Sequence, residues 1–225
     1  MLGMRSLLEE GSSIVKGSSL EAPTPIVTRQ SKYALVGRLL ADTVGTLVDV
    51  GARDRVLSSH LPRTLRYASA DASGNHDYLW DLERAIPCDD ANFDVVVALD
   101  VLEHVEGIHL AIGELMRITR RKMIVSFPNM GCISHRVAFL LSGRLSGKYD
   151  LLPEHQGDRH RWLTTYRQVC QFVNRHEAVK GCAVRQYDVL SGFGRIHQLA
   201  SYLPLPPSLR VYTVLFEVTK SPAPV

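Results

Sequence analysis

Short apolar runs alternate with helical patterns along most of this chain, and the alternation constrains its fold more than any other feature. Six runs are candidate strands: TLVDVG, LRYASAD, FDVVVALD, KMIVSFPN, AVRQYDVL and VYTVLFEVT. Runs that are apolar at almost every position are typical of parallel strands that helices cover on both faces. Because helical patterns separate the strands, the order predicts an α/β, doubly wound and mostly parallel sheet.

Three helical patterns support this prediction. Apolar residues recur with helical spacing over residues 30–43, with Gly45 as the stop. Thr165 followed by Gln168 is a capping-box pattern, which predicts a helix through about Arg175. Between the third and fourth strand candidates, one helical face carries the apolar residues Ile108, Ala111, Ile112, Leu115 and Ile118.

Length and composition indicate one ordinary globular domain. The chain has 225 residues, of which 45% are hydrophobic and 22% charged, so it can bury a core. An N-terminal arm is predicted over residues 1–28, because Ser, Gly and Pro dominate its second half. The domain is predicted over residues 29–220. Its formal charge of +3 is too small to indicate a nucleic-acid or membrane surface as partner.

The sequence indicates no membrane span, secretory signal or disulfide framework. The most apolar run, FDVVVALDVL, is interrupted by Asp100, and Glu9 and Glu10 end the apolar stretch near the N-terminus. The four cysteines form no CxxC pair, so neither a zinc site nor a redox dithiol is indicated. These features favour a cytoplasmic protein, and the oligomeric state stays open.

The first strand candidate ends in a turn that could hold a nucleotide. Asp49 ends the strand and Gly51 opens the turn, where a backbone without a side chain can approach a ligand closely. Asp71 lies twenty residues after Gly51, at the end of the next strand candidate. This is the position at which an acidic residue binds the ribose hydroxyl groups of a nucleotide. The alternative for this turn alone is a tight connection without a ligand.

Residues 79–105, LWDLERAIPCDDANFDVVVALDVLEHV, resemble the central portion of class I S-adenosylmethionine-dependent methyltransferases. Members of that family often carry an Asp-Leu pair, a short turn with Pro, a Phe-Asp strand start and a strand exit that reads VLEHV. The resemblance implies a Rossmann-like sheet of seven strands with the last one reversed. The seventh strand is expected near YLW or beside MIVS. S-adenosylmethionine is the implied cofactor and methyl transfer the implied reaction.

The resemblance also implies ten cofactor-binding residues at the carboxyl ends of strands: Asp49, Gly51, Ala52, Asp71, Ala72, Asp81, Leu82, Leu99, Asp100 and Val101. The first three would surround the methionine end and the sulfonium. The next two would hold the ribose. Asp81 and Leu82 would face the adenine, and the last three would border the cofactor together with His104. Read singly, Asp81 and Asp100 could instead be turn or helix caps.

Two departures from the family pattern affect this interpretation. Arg53 and Arg55 stand where the glycine-rich loop usually has small residues, and one of them could pair with the cofactor's carboxylate. The nine residues ASGNHDYLW between Asp71 and Asp81 are too few for the helix usually found there. One alternative is therefore a degenerate binding or scaffold protein without turnover. A nicotinamide-dependent dehydrogenase is disfavoured because no G-x-G-x-x-G follows a strand.

Residues 130–165, after the fifth strand, are predicted to form a lid on the acceptor side. The segment carries five Arg or Lys, three Asp or Glu and three His, and its arginines favour a small acceptor that is polar or anionic. A solvated basic loop is the alternative. The candidate acid or base residues are His104, His155 and His160. No metal is assigned, because His155, Asp158 and His160 match metal-ligand spacing only loosely.

Overall fold

An eight-stranded sheet forms the centre of the structure, a computed structural model that describes residues 24–145, 147–150, 153–154, 158–192 and 194–221. The strands are β1 (Ile26–Thr28), β2 (Gly45–Val50), β3 (Leu65–Asp71), β4 (Tyr78–Leu79), β5 (Phe93–Leu99), β6 (Thr119–Pro128), β7 (Ala183–Val189) and β8 (Thr213–Thr219). Their spatial order is β1, β7, β8, β6, β5, β2, β3, β4. Strand β8 runs antiparallel to β6 and β7, and the other neighbours are parallel.

Six helices accompany the strands in the described part of the chain: α1 (Lys32–Leu39), α2 (Ile108–Ile118), α3 (Ile133–Ser142), α4 (Tyr166–Arg175), α5 (Arg195–Ala200) and α6 (Pro207–Arg210). Helix α1 begins after Ser31, whose side chain accepts a hydrogen bond from the Ala34 N–H at 3.2 Å. Helix α4 follows Thr165 as predicted, although the Thr165 hydroxyl donates to the Gln168 side chain and accepts no hydrogen bond from the helix backbone. None of the helices in the described residues combines the length and apolarity that a bilayer span requires.

The core lies on both faces of the sheet, as the uninterrupted apolar runs predicted. On one face, Ile112 and Leu115 of α2 and Val173 of α4 pack against the strands and are fully buried. On the other face, Leu35 and Val36 of α1 do the same. Strand β5 is buried at six of its seven positions because it has strands on both edges and helices on both faces.

All six strand candidates are confirmed, and the reversed last strand is confirmed as well. The expected count of seven strands was too low, because the sheet has eight in the described residues. Strand β4 falls in the predicted YLW segment. Strand β1 consists of residues 26–28, which were assigned to the N-terminal arm, and it pairs with β7 in parallel. A run of three residues is too short to show a strand pattern next to a segment rich in Ser, Gly and Pro. Residues 1–23 of the arm lie outside the described residues.

The predicted absence of a helix between β3 and β4 is confirmed. The Asp77 carboxylate accepts hydrogen bonds from the Ser69 N–H at 2.8 Å and from the Ser69 hydroxyl at 2.7 Å. These two bonds tie the connection back onto β3, so that β4 pairs beside it directly.

Gly51 allows the chain leaving β2 to pass close to the chain leaving β5. Its φ is +72°, and a Cβ at this position would lie 1.9 Å from Cγ2 of Val101. A separation that small cannot occur, so with any side chain here either the Val101 side chain or the two chain segments would have to move. The missing side chain therefore determines how closely the ends of β2 and β5 approach each other.

We expect Gly51→Ala to destabilise the protein more than Gly143→Ala does. Both glycines have positive φ, at +72° and +66°, but an alanine at 143 meets no described atom within 4 Å. Gly143→Ala should cost about 1 to 2 kcal/mol for the backbone conformation alone. Gly51→Ala should cost about 1 to 3 kcal/mol more, because of the contact with Val101. Urea denaturation measures both values. Equal losses would contradict the packing argument, whereas adding Val101→Ala should recover part of the larger loss.

Candidate functional site

A cleft of about 1520 Å³ opens at the carboxyl ends of β2, β3 and β5. In a doubly wound sheet, the point where the chain departs to opposite sides leaves such a crevice, and here it lies between β2 and β5. All ten cofactor positions implied by the sequence resemblance line this cleft. His104 and His160 line it too, whereas His155 lies outside the described residues.

The GARDR turn accommodates its two arginines by taking a left-handed backbone. Arg53 and Arg55 have φ of 46° and 54°, a backbone conformation that residues other than glycine rarely adopt. The Arg53 N–H donates to the Asp71 carboxylate at 3.0 Å, and the Arg55 N–H donates to the Ala52 carbonyl at 2.7 Å. These bonds hold the turn between β2 and the end of β3.

The two guanidinium groups are engaged at the rim of the cleft. Arg53 is exposed and forms an ion pair with Asp158 from the predicted lid. Arg55 donates to the backbone carbonyl of Asn75, in the connection that follows β3. The turn is thus linked by one arginine to the lid and by the other to the loop after Asp71.

Asp49 is a buried carboxylate at the floor of the cleft. Its residue is 5% exposed, and the Tyr67 hydroxyl donates to its Oδ2 at 2.9 Å. Burial, with a smaller contribution from the neighbouring Asp71, raises the pKa of Asp49 to about 7 against the opposing effects of the Tyr67 hydrogen bond and of Lys32. A cation bound in the cleft would favour the ionised carboxylate.

Asp100 connects the end of β5 to the first turn of α1. Its backbone has φ of 54°, and its carboxylate accepts from Ser126 Oγ at 2.5 Å and from the ammonium of Lys32. Burial alone would lower the pKa of Lys32, but the contact with Asp100 outweighs it and raises the pKa. The sequence analysis missed Lys32, since its only signal is its place in the first turn of a helix.

Asp81 and Leu82 are the two positions that the resemblance assigned to the adenine. Asp81 Oδ1 accepts from the Glu83 N–H at 3.0 Å, so the residue also caps a turn, as the alternative interpretation held. Its side chain is 51% exposed, whereas Leu82 is buried. Both residues line the cleft, and Leu99 contributes a buried apolar wall from the end of β5.

The predicted lid meets the floor of the cleft at the short turn 102–104. The backbone carbonyl of Glu103 accepts from the N–H groups of Arg161 at 2.8 Å and Trp162 at 3.2 Å. The Trp162 indole donates to the Val105 carbonyl at 2.8 Å. The described end of the lid is therefore held against the strand exit that reads VLEHV.

Two histidines and a glutamate come together at this junction. The rings of His104 and His160 stand perpendicular, with centroids 4.4 Å apart, and His160 Nε2 lies 3.8 Å from Glu103 Oε1. Burial and the nearby Lys148 lower the pKa of His104. Burial, with His104 and Lys148 adding to it, lowers the pKa of His160 to about 4. Both rings are neutral near pH 7 and can accept a proton.

Glu103 was not among the candidates drawn from the sequence. It is 0% exposed, and among the described residues neither of its side-chain oxygens has a hydrogen-bond partner. Burial raises its pKa well above the ordinary glutamate value. Its position directly before His104 in VLEHV was a usable signal, but its meeting with His160 depends on the path of the lid.

The lid arginines divide into two groups. Arg159 and Arg161 line the cleft, and Lys148 beside them pairs with Asp158 at 2.8 Å. Arg136 donates instead to the Gly131 carbonyl at 2.6 Å, and Arg144 pairs with Asp150 at 2.8 Å. Only part of the basic character predicted for the lid therefore faces the cleft.

The comparisons with known proteins agree with this geometry. A family model described as "Methionine biosynthesis protein MetW" matches residues 76–190, just over half of the chain. That range holds Asp81, the end of β5, the turn 102–104 and the lid, but not the GARDR turn or Asp71. No curated protein sequence matches the chain.

Several solved structures with a similar fold are methyltransferases. Magnesium protoporphyrin IX methyltransferase from Synechocystis PCC 6803, solved with bound SAH, is 16% identical, with a TM-score of 0.52 over 84% of this chain and 82% of that one. The small RNA methyltransferase HEN1 is 15% identical, with a TM-score of 0.59 over 93% of this chain and 28% of that one. The CurJ carbon methyltransferase is 13% identical, with a TM-score of 0.53 over 84% of this chain and 54% of that one. These likenesses confirm the predicted Rossmann-like methyltransferase fold.

We expect Asp49→Asn to change how stability depends on pH. Asp49 has a pKa of about 7 in the folded state and about 3.8 in the unfolded state. Between these two pH values the Asp49 carboxyl is therefore protonated only in the folded protein. The unfolding free energy contributed by this group therefore falls as pH rises through that window, by about 1.4 kcal/mol per pH unit at most. Relative to the variant, the wild-type protein should lose on the order of 2 kcal/mol between about pH 5 and pH 8.

Urea denaturation at several pH values measures this difference, and parallel curves for the two proteins would contradict the assignment. Tyr67→Phe is the matched control. It removes the hydrogen bond that favours the ionised carboxylate, so it should move the window to higher pH without abolishing it.

Proposed function

The chain belongs to the MetW family, and from this premise we propose that it transfers the methyl group of S-adenosylmethionine to an oxygen or nitrogen of a small molecule. We propose further that the acceptor is polar or anionic. The observation that carries the proposal is that all ten residues chosen from the sequence as cofactor positions line one cleft, at the carboxyl ends of three strands.

The charges along the cleft support a cationic cofactor. Asp49 and Asp100 lie on the floor beneath the two central strand ends, and Asp71 lies at the end of β3. Carboxylates favour a bound sulfonium through Coulomb attraction, and the attraction is stronger where the groups are buried. Asp71 also fits a ribose, because its oxygens accept only the Arg53 N–H from the turn and the N–H of the adjacent Ala72 and retain further acceptor capacity.

The opposite side of the cleft supports a polar or anionic acceptor. Lys148, Arg159 and Arg161 line that side, next to His104 and His160. Guanidinium groups bind carboxylates and phosphates through paired hydrogen bonds. An acceptor held there would lie between the basic lid residues and the cofactor on the strand ends.

The reaction asks the protein mainly for alignment. A sulfonium is a reactive methyl donor, so holding the acceptor atom in line with the methyl group supplies much of the acceleration. A base is needed only if the acceptor must lose a proton, and the neutral rings of His104 and His160 are the candidates within the described residues. His155 stays a prediction of the sequence.

A degenerate binding protein is the second candidate function. The ion pair between Arg53 and Asp158 favours it, because this contact joins the turn to the lid across the rim of the cleft. An arginine held there would have to move for a cofactor to enter. Cofactor binding without turnover on any screened acceptor would support this alternative.

We expect S-adenosylhomocysteine to bind the protein and raise its melting temperature, because a ligand selective for the folded state stabilises it. Asp71→Ala should weaken this binding by about 1 to 3 kcal/mol, since the acceptor for the ribose and for the Arg53 N–H is lost. Asp42→Asn, at an exposed position after α1, is the control and should leave the affinity unchanged. Calorimetric titration measures all three. Saturating ligand without heat or a melting shift in the wild-type protein would refute the cofactor proposal.

We expect Arg53→Ala and Arg55→Ala to leave the affinity for S-adenosylhomocysteine unchanged or to weaken it moderately. Both guanidinium groups are engaged at the rim, and neither is needed at the sulfonium. The same titration measures the affinities. A gain of about tenfold or more, which is about 1.4 kcal/mol, would show that the arginine obstructs the cleft. Arg53→Lys, which keeps the charge, would then tell obstruction by charge from obstruction by shape.

A further inference from the structure

The junction of the lid with the strand exit brings together three side chains that have the chemistry of metal ligands. Glu103, His104 and His160 each present one ligand atom, and these atoms all lie within 4.8 Å of one another. Nitrogen and carboxylate ligands about 2.0 to 2.2 Å from a tetrahedral metal lie roughly 3.4 Å apart. To bind one ion, the ligand atoms that lie farthest apart must therefore approach each other by up to about 1.4 Å.

The Glu103 carboxylate provides an independent observation. Its residue is 0% exposed, and among the described residues neither oxygen has a hydrogen-bond partner, although its own backbone N–H lies close enough to oppose the rise of its pKa. Its nearest candidate partner is His160 Nε2 at 3.8 Å, beyond hydrogen-bond distance. The Nδ1 atom of His160 is also buried without a hydrogen-bond partner in this part of the chain. Buried polar groups are almost always satisfied, so the two Glu103 oxygens call for a partner that the described residues do not supply.

The surroundings of His104 suit metal binding. Its Nδ1 lies 3.0 Å from the Arg159 carbonyl and 3.1 Å from the Asp158 carboxylate, and both of these groups accept hydrogen bonds. They favour the tautomer that carries its proton on Nδ1 and leaves a lone pair on Nε2. A carboxylate or carbonyl behind the histidine is the usual support of a metal-bound imidazole.

We propose that Glu103, His104 and His160 bind one divalent transition-metal cation. The two imidazoles favour a first-row ion such as Zn²⁺ or Co²⁺ over Mg²⁺ or Ca²⁺, which prefer oxygen ligands. Lys148 lies 3.3 Å from His104 Nε2 and must give up that contact, but it keeps its ion pair with Asp158 at 2.8 Å. The site goes beyond the methyl transfer proposed above.

The location of the site indicates its use. All three ligands line the cleft next to Arg159 and Arg161, where the proposed function puts the acceptor, so this use of the site rests on the proposed function. A cation there would bind an oxygen of the acceptor and stabilise negative charge on it. As ligands, His104 and His160 would position the acceptor through the cation and would not themselves remove its proton.

The test is metal binding by the full chain, freed of any affinity tag and treated with a chelator. Zn²⁺, Mn²⁺ and Co²⁺ are titrated separately by calorimetry, and the Co²⁺ complex is also followed by its visible absorption. The proposal expects one ion per chain. Glu103→Gln and His160→Gln should each weaken binding at least about 100-fold, more than loss of an outer hydrogen-bond partner usually does. His135→Ala, which changes another histidine of the cleft, should bind as the wild type does.

Three outcomes would overturn the proposal. They are the absence of stoichiometric binding of all three ions, binding that survives in both ligand variants, and an intense thiolate band that assigns Co²⁺ to cysteine. Circular dichroism checks that each variant is folded, and His160→Gln carries the test if Glu103→Gln does not fold. All titrations omit S-adenosylmethionine, so failure here leaves the methyl-transfer proposal intact, and failure of cofactor binding leaves this one intact.

Discussion

The close approach of Gly51 to Val101 is the constraint on which the rest of the site depends. The two residues follow the central strands β2 and β5, and there is no room between them for a single carbon atom. The turn after β2 is bonded at the same time to β3, through the Gly51 N–H and the Ala70 carbonyl at 2.8 Å. Three strand ends are thereby held in one register, and the acidic residues that follow them all reach the same cleft.

The acidic groups of the cleft are held in different ways, and this gives them different chemical characters. Asp49 is buried with a hydroxyl partner, and its pKa rises to about 7. Asp100 is paired with Lys32, and Asp71 accepts N–H groups from a turn. Glu103 has no hydrogen-bond partner among the described residues. A pocket with one titrating, one paired and one unsatisfied carboxylate is suited to binding positive charge at more than one place.

The sequence predicted the sheet well because burial on both faces imposes an apolar composition that can be read directly. It also identified residues that share the cleft, since parallel strands bring their carboxyl ends to one edge. It could not identify contacts made by tertiary packing. Lys32 reaches Asp100 because of the position of helix α1. His160 reaches Glu103 because of the path of residues 158–165. The left-handed backbone of Arg53 was hidden as well, because residues other than glycine rarely adopt it.

The arrangement around Asp158 has a consequence for the lid. This one carboxylate, 45% exposed at its side chain, receives Arg53 from the turn, Lys148 from the lid and His104 from the strand exit. Attraction between exposed charges is screened over about 8 Å at physiological ionic strength, whereas apolar contacts are not weakened by dilute salt. The hold of the lid on the turn is therefore tunable by the ions of the solution, while the sheet beneath keeps its stability. The ion pairs around Asp158 should weaken with added salt long before the fold does.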